Sequence, residues 1–133
     1  MPFVLDASTT AAWCFPDEDD PAADVAFDRL ADEPAIVPAL WWAEIRNILI
    51  VGDRPGRIDA AETVRFLADL DRLPIEPNRT PASDVVLSLA RRHGLTVYDA
   101  LYLELAIRHS ASLATLDTHL ATAARVAGVP VLG

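Results

Sequence analysis

The sequence predicts an α/β fold, a three-layer α/β/α sandwich whose central parallel sheet has about four to five short strands. Short apolar segments alternate with longer amphipathic segments along the chain, which is typical of a parallel sheet with helices on both faces. The chain has 133 residues, of which 52% are hydrophobic, and this suffices for one ordinary core. We therefore expect a single domain over residues 1–133.

The first part of the chain predicts two strands and three helices. Residues 3–5 are apolar and form a short buried strand, and a helix over residues 8–15 follows almost at once. An amphipathic helix over residues 22–31 leads to a second strand, residues 35–38, which its proline ends. Residues 40–51 are apolar on more than one face, so we expect this helix to be buried on two sides.

The rest of the chain continues the alternation. Asp59 and Glu62 predict a capping box at the start of a helix that ends at Leu70. A weak strand between Pro74 and Pro77 is expected near a sheet edge. The remaining elements are predicted as a helix at 80–93 capped by Thr80, a helix at 100–109 capped by Asp99, a strand at 112–116, a helix at 118–127 and a strand at 130–132.

Four acidic residues lie in apolar surroundings. Asp6 and Asp117 follow predicted strands, Glu44 lies inside an apolar helix and Asp99 lies at the start of another. An ionised carboxylate is costly in such a place unless a cation or hydrogen bonds compensate it. Because ligands of parallel sheets bind at the carboxyl ends of the strands, we expect these acids to converge on one crevice there.

Each acid also has a structural alternative. Asp6, Asp99 and Asp117 could cap the helices that follow them. Glu44 could pair with an arginine such as Arg46. Four converging carboxylates, however, would repel one another strongly without cations. Hard oxygen ligands select Mg²⁺ or Mn²⁺, as one or two ions, and the absence of Cys or His near these positions argues against zinc.

Carboxylate-bound Mg²⁺ or Mn²⁺ suits phosphodiester hydrolysis, because the cation generates hydroxide near neutral pH and neutralises charge on the leaving oxygen. Three polar residues are candidates to support the acids. Asn47 lies on the helical face of Glu44, and Ser8 and Thr115 each lie two residues from a proposed ligand. Glu104 points about 140° away from Asp99 around its helix, so we leave it out of the site.

The net charge of −9 argues against a general nucleic-acid coat protein, because nonspecific phosphate binding depends on surplus Lys and Arg. Cations held by the four acids would make the mouth of the site less acidic. All 11 basic residues are arginine, which excludes mechanisms that need a lysine base or a P-loop lysine. An aspartyl-phosphate phosphatase or receiver is the main rival enzyme, but this chain lacks the Asp-x-Asp pair and the lysine that it needs.

No apolar run approaches the roughly 20 residues that a membrane-spanning helix needs. The N-terminus lacks the charged and apolar regions of a secretion signal. Cys14 is the one cysteine, so no intramolecular disulfide forms, and we expect it in the core. The sequence therefore predicts a soluble, cytoplasmic protein without a membrane partner.

Four segments together resemble a PIN domain, and specifically the VapC toxins of bacterial toxin-antitoxin pairs: VLDAS at residues 4–8, AEIRN at 43–47, YDALYLELA at 98–106 and LATLD at 113–117. The resemblance implies a Mg²⁺- or Mn²⁺-dependent endoribonuclease that forms a homodimer and is blocked by a small VapB-type antitoxin. Its acidic quartet matches Asp6, Glu44, Asp99 and Asp117, and its supporting positions match Ser8, Asn47 and Thr115.

The identity of the RNA target is not encoded by these acids. Either Trp41 or Trp42 is expected in the core, while the other could anchor the antitoxin or the dimer. A catalytically inactive PIN-like module that binds RNA or a partner stays open as the alternative function. Candidate phosphate contacts are Arg46, Arg54, Arg57, Arg79, Arg91 and Arg92.

Overall fold

The computed structural model describes residues 1–15, 19–52 and 58–133. One parallel sheet organises these residues, with strands in the order β3, β2, β1, β4. The strands are β1 (Phe3–Leu5), β2 (Ala35–Pro38), β3 (Ile75–Asn78) and β4 (Leu113–Ala114). The helices of the described ranges are α1 (Ala7–Ala12), α2 (Pro21–Arg29), α3 (Leu40–Val51), α4 (Ala60–Leu70), α5 (Ser83–His93), α6 (Val97–His109) and α7 (Thr118–Val126).

Side chains of the central strand β1 pack on both faces of the sheet, because successive residues of a strand point to opposite sides. Val4 joins a core cluster with residues of α5, α6 and α7, such as Leu103 and Leu120. Phe3 and Leu5 join a second cluster that includes residues of α2 and β2. Both faces are therefore covered, which confirms the predicted α/β/α sandwich.

Helix α6 is the most deeply embedded of these helices. It packs on β1, β2 and β4 and on α5 and α7, and six of its residues are buried. It leads into the parallel strand β4, so it runs opposite to the strands and begins at their carboxyl edge. Residues in the first turn of α6 therefore lie at the edge where parallel sheets bind ligands.

Two predicted helix starts are wrong. α6 begins at Val97, and its cap is Thr96, whose hydroxyl accepts the Asp99 N–H at 3.1 Å. Asp99 therefore stands in the first turn and does not cap the helix. α5 begins at Ser83, because the Asn78 side chain holds Thr80 outside the helix by accepting its N–H (3.2 Å) and its hydroxyl (3.3 Å). The capping box of Asp59 and Glu62 is confirmed.

The C-terminal strands are shorter than predicted. β4 covers Leu113 and Ala114 of the predicted residues 112–116, because the next residues bond side chains at the end of β1. The predicted last strand is reduced to one bridge between Leu113 and Val131. β3 lies at a sheet edge, as predicted. No helix in the described ranges is long and apolar enough to cross a membrane.

Candidate active site

Two of the four acids follow neighbouring strands of the sheet. Asp6 comes directly after β1 and is the N-cap of α1, and Asp117 is the N-cap of α7, which follows β4. β1 and β4 pair in parallel, with Leu5 opposite Ala114, so both acids lie at the carboxyl edge. Each acid also caps its helix, as the structural alternative predicts. Capping uses one carboxylate oxygen, so it does not exclude a second role for the other oxygen.

The carboxylate of Asp6 is held by donors from three directions. It is 4% exposed. The Thr9 N–H donates to Oδ1 at 2.9 Å, and the Ser8 hydroxyl lies 2.8 Å from Oδ1 and 3.0 Å from Oδ2. The Thr115 hydroxyl donates to Oδ2. These bonds fix the rotamer of Asp6, so its position is set by the fold before any ligand arrives.

Ser8 and Thr115 also join the ends of the two strands. Thr115 Oγ1 accepts the Asp117 N–H at 3.0 Å, and Ser8 Oγ accepts the Leu116 N–H at 3.2 Å. Each hydroxyl therefore contacts Asp6 on one side and the backbone after β4 on the other. These contacts couple the position of Asp6 to that of Asp117, while a role of both hydroxyls at a metal site stays a prediction.

Glu44 lies in the first half of α3 and is half-buried. The hydroxyl of Tyr102, on α6, donates to Glu44 Oε1 at 2.5 Å. Arg46 does not pair with Glu44. Its guanidinium lies 3.9 Å from the ring centroid of Trp42 and donates to the Trp42 carbonyl at 3.0 Å. The pairing of Glu44 with Arg46 is therefore wrong, while Arg54 and Arg57 lie outside the described residues.

Three of the acids are harder to ionise than usual. Burial raises the pKa of Asp6 despite its hydrogen bonds. Burial, followed by the charges of Asp99 and Asp6, raises the pKa of Glu44, while the Tyr102 hydrogen bond lowers it. Burial and the charge of Asp117 raise the pKa of Asp99. The four acids are thus linked electrostatically, Asp6 to Glu44, Glu44 to Asp99, and Asp99 to Asp117.

This arrangement of strand-end acids coincides with a family-level match. A family model described as the PIN domain matches residues 3–126. This chain belongs to the PIN-domain family. Ribonuclease VapC3 from Pyrobaculum aerophilum is 32% identical over 125 residues, which cover 91% of this chain and 93% of that protein.

Solved structures agree with this assignment. PAE2754 from Pyrobaculum aerophilum is 27% identical and has a TM-score of 0.75, covering 98% of this PIN domain chain and 83% of its own. A chain of a toxin-antitoxin complex from Klebsiella pneumoniae is 20% identical with a TM-score of 0.62, covering 98% and 96%, and it supports the fold alone. The resemblance to VapC-type PIN domains that the sequence motifs predict is confirmed.

The donor set of the PIN domain fits a hard divalent cation, since it consists of carboxylate oxygens. In residues 1–15, 19–52 and 58–133, however, no three His, Cys, Asp or Glu side chains form a group that could hold a metal ion as they stand. Charge coupling acts over longer distances than metal ligation, so the acids interact through their charges without closing around one point. Mutual repulsion opposes their closer approach.

Other predicted residues lie further from the acids. Asn47 is exposed, and in the described part of the chain no hydrogen bond joins it to any of the four acids, so its supporting role stays a prediction. Glu104 is buried but is bonded to Arg108 at 2.7 Å and to the Ala82 N–H at 3.2 Å, which agrees with its exclusion from the site. Arg54 and Arg57, two candidate phosphate contacts, lie outside the described residues.

Tyr102 is the site residue that the sequence prediction missed. It is 2% exposed, and its hydroxyl bonds both Glu44 and the backbone of Ala7, next to Asp6. Burial and Glu44 raise the pKa of this phenol far above its ordinary value, so the hydroxyl stays a donor. The sequence contains a signal for this residue, because Tyr102 lies three residues after Asp99 and therefore on the same side of α6.

The raised pKa values of the PIN domain predict a stability that falls as pH rises. The ordinary pKa is 3.8 for Asp6 and Asp99 and 4.5 for Glu44, and the folded values lie above these. The folded state therefore holds these protons more tightly than the unfolded state. The resulting stabilisation is complete below the ordinary values and is lost as pH rises through the folded pKa values. Asp99→Asn should flatten this decline, as measured by urea unfolding in EDTA between about pH 4 and 8.

Asp84→Asn is the matched control, because Asp84 also lies in the first turn of a helix but is exposed. Its unfolding free energy should follow the pH dependence of the wild type. If the unfolding free energy of Asp99→Asn and of the wild type fell equally steeply with pH, burial and neighbouring charge would not be raising the pKa of Asp99.

Proposed function

We propose that this PIN domain is an endoribonuclease toxin of a type II toxin-antitoxin pair, which hydrolyses RNA phosphodiester bonds with one or two Mg²⁺ or Mn²⁺ ions. The observation that carries the proposal is the electrostatically linked set of Asp6, Glu44, Asp99 and Asp117 at the carboxyl edge of the sheet. The 32% identity to ribonuclease VapC3 supports RNA as the substrate.

The four carboxylates would hold the cation, which supplies a hydroxide near neutral pH and neutralises charge on the leaving oxygen when bound. Ser8, Thr115 and the Thr9 N–H orient Asp6, and Tyr102 orients Glu44. The burial of Asp6 and the partial burial of Glu44, Asp99 and Asp117 strengthen their interaction with a positive charge. No histidine base is required.

Asp99→Asn is expected to abolish metal-dependent RNA cleavage, with a fall of about 100-fold or more in rate, because the site loses one of its charged ligands. Asp84→Asn should cleave like the wild type. End-mapping of cellular RNA after brief expression would measure both activity and target. A second measurement is independent of activity: Mn²⁺ should raise the melting temperature of the wild type and of Asp84→Asn, and should raise that of Asp99→Asn less.

Unchanged cleavage by Asp99→Asn would remove this residue from the proposed site. A wild-type protein that binds RNA but does not cleave it with Mg²⁺ or Mn²⁺ would support the alternative, an inactive PIN-like binding module.

We further propose that a VapB-type antitoxin and a second copy of this chain are the protein partners. α3 carries large apolar side chains that the described residues leave uncovered, with Trp42 61%, Ile50 66% and Val51 64% exposed. Large exposed apolar side chains of this kind are enriched in protein interfaces. The toxin-antitoxin complex from Klebsiella pneumoniae contains a chain of the same fold.

Expression of the wild-type chain alone should arrest growth, and co-expression of the small open reading frame beside its gene should relieve the arrest. Asp99→Asn should cause no arrest and should still co-purify with the antitoxin, because the substitution changes the acidic crevice and leaves α3 intact. Growth that continues when the active wild type is expressed alone would contradict a toxin role.

Tyr102→Phe should weaken Mn²⁺ binding by about tenfold, because Glu44 loses the donor that holds its Oε1 atom. Tyr98→Phe is the matched control, since Tyr98 lies on the same helix and is 59% exposed. Titration calorimetry with Mn²⁺ would measure both variants. Equal affinities of Tyr102→Phe and the wild type would show that the hydroxyl stabilises the fold only.

A further inference from the structure

A cavity lies between the end of α5 and α7, next to Asp117 in the chain. Its volume is about 450 Å³, within the range of small-ligand sites. Two of the three histidines of the chain line it. The lining side chains are His93, Thr118, His119, Thr122, Ala123 and Val126. We call this cavity the histidine cleft.

The histidine cleft adjoins Asp117 of the proposed active site. Thr118, in its wall, follows Asp117 directly. His119, also in its wall, lies two residues after Asp117 in the first turn of α7. An RNA strand with a phosphate at the acids must continue on either side, and the histidine cleft is next to one of these acids, Asp117.

The chemistry of the walls fits a nucleotide. His119 Nε2 donates to the Gly94 carbonyl at 3.2 Å, which ties the ring to the end of α5 and leaves Nδ1 and the ring face for a ligand. Val126 is 73% exposed and supplies an apolar surface. Flat aromatic side chains, including histidine, stack on unpaired RNA bases, and base stacking tolerates different sequences.

Cationic side chains lie within two residues of the residues that line the cleft. Arg91 and Arg92 precede His93 in the last turn of α5, and Arg125 precedes Val126 in the last turn of α7. All three are exposed and form no ion pair with any residue in the described ranges. Arginine near a helix C-terminus also interacts favourably with the helix dipole, but that role does not account for the adjoining cavity. In a chain of net charge −9, these arginines offer phosphate contacts next to the cleft.

We infer that the histidine cleft binds one nucleotide of the RNA strand next to the cleaved phosphate, with the base on the imidazole rings and its phosphate toward the arginines. This inference rests on the proposed function, because it takes RNA as the substrate. A segment of an antitoxin would be a different occupant, and charge favours RNA, since exposed arginines lie next in the chain to residues of the cleft wall.

The test uses a fluorescein-labelled single-stranded RNA of about 12 nucleotides and mixed sequence, and the Asp6→Asn protein, which should not cleave it. Fluorescence anisotropy should show that the double variant Asp6→Asn, His119→Ala binds this RNA about five- to 100-fold more weakly than Asp6→Asn alone, because one stacked base is lost. His119 is exposed, so its removal leaves the core intact. His109→Ala is the matched control, since His109 is exposed at the opposite end of α6.

Histidine side-chain NMR signals of the Asp6→Asn protein give a second measurement. Addition of the same RNA should shift the signals of His93 and His119 and leave that of His109 unchanged. Equal shifts of all three signals, or none, would overturn the inference.

An unchanged RNA affinity in His119→Ala would also overturn it, and loss of antitoxin co-purification in that variant would assign the cleft to protein contact instead. Absence of RNA binding by the Asp6→Asn protein would overturn it as well. Cleavage of the same RNA by the wild type with Mn²⁺ is measured in a separate assay. RNA cleavage there would support the proposed function even if the histidine cleft did not bind a nucleotide.

Discussion

The buried carboxylate of Asp6 is the interaction on which the rest of the site depends. It receives hydrogen bonds from the start of α1 and from Thr115 after β4, and it follows the central strand β1. A carboxylate so deeply buried is stable only because these donors compensate part of its lost hydration. The same bonds end β4 early and direct the chain toward Asp117. The hydrogen bonds that this one buried carboxylate requires therefore determine where two of the four acids lie.

Helix α6 positions two further residues of the proposed site, because the helical period places them on the same side. Asp99 and Tyr102 are three residues apart and lie on one side, toward Glu44. Glu104 is turned away and is bonded to Arg108 and to the start of α5. Helix α6 thus supplies an acid and a positioning hydroxyl to the proposed site, and a separate, partly buried ion pair to the packing of α5. The period of 3.6 residues keeps the two functions apart.

Local patterns predicted elements well where one turn or one strand determined them. The capping box of Asp59 and Glu62, the strand at Ala35–Pro38 and the helix at Leu40–Val51 all agree with the structure. Errors arose where a distant side chain competed for the same backbone group. Asn78 holds Thr80 out of α5, and the strand-end hydroxyls shorten β4. Such competition depends on contacts between residues far apart in sequence, which a local pattern does not contain.

The sequence by itself determined the fold class and the family, and it predicted the four acids, because strand-end positions, helix period and residue type are all local properties. The tertiary structure alone decided how the acids are held. Tyr102 meets Glu44 across 58 positions, and Thr115 meets Asp6 across 109. It also decided that His93 and His119, from two helices, line one cavity. These pairings follow from how the helices pack on the sheet, since only packing brings side chains so distant in the chain within hydrogen-bonding distance.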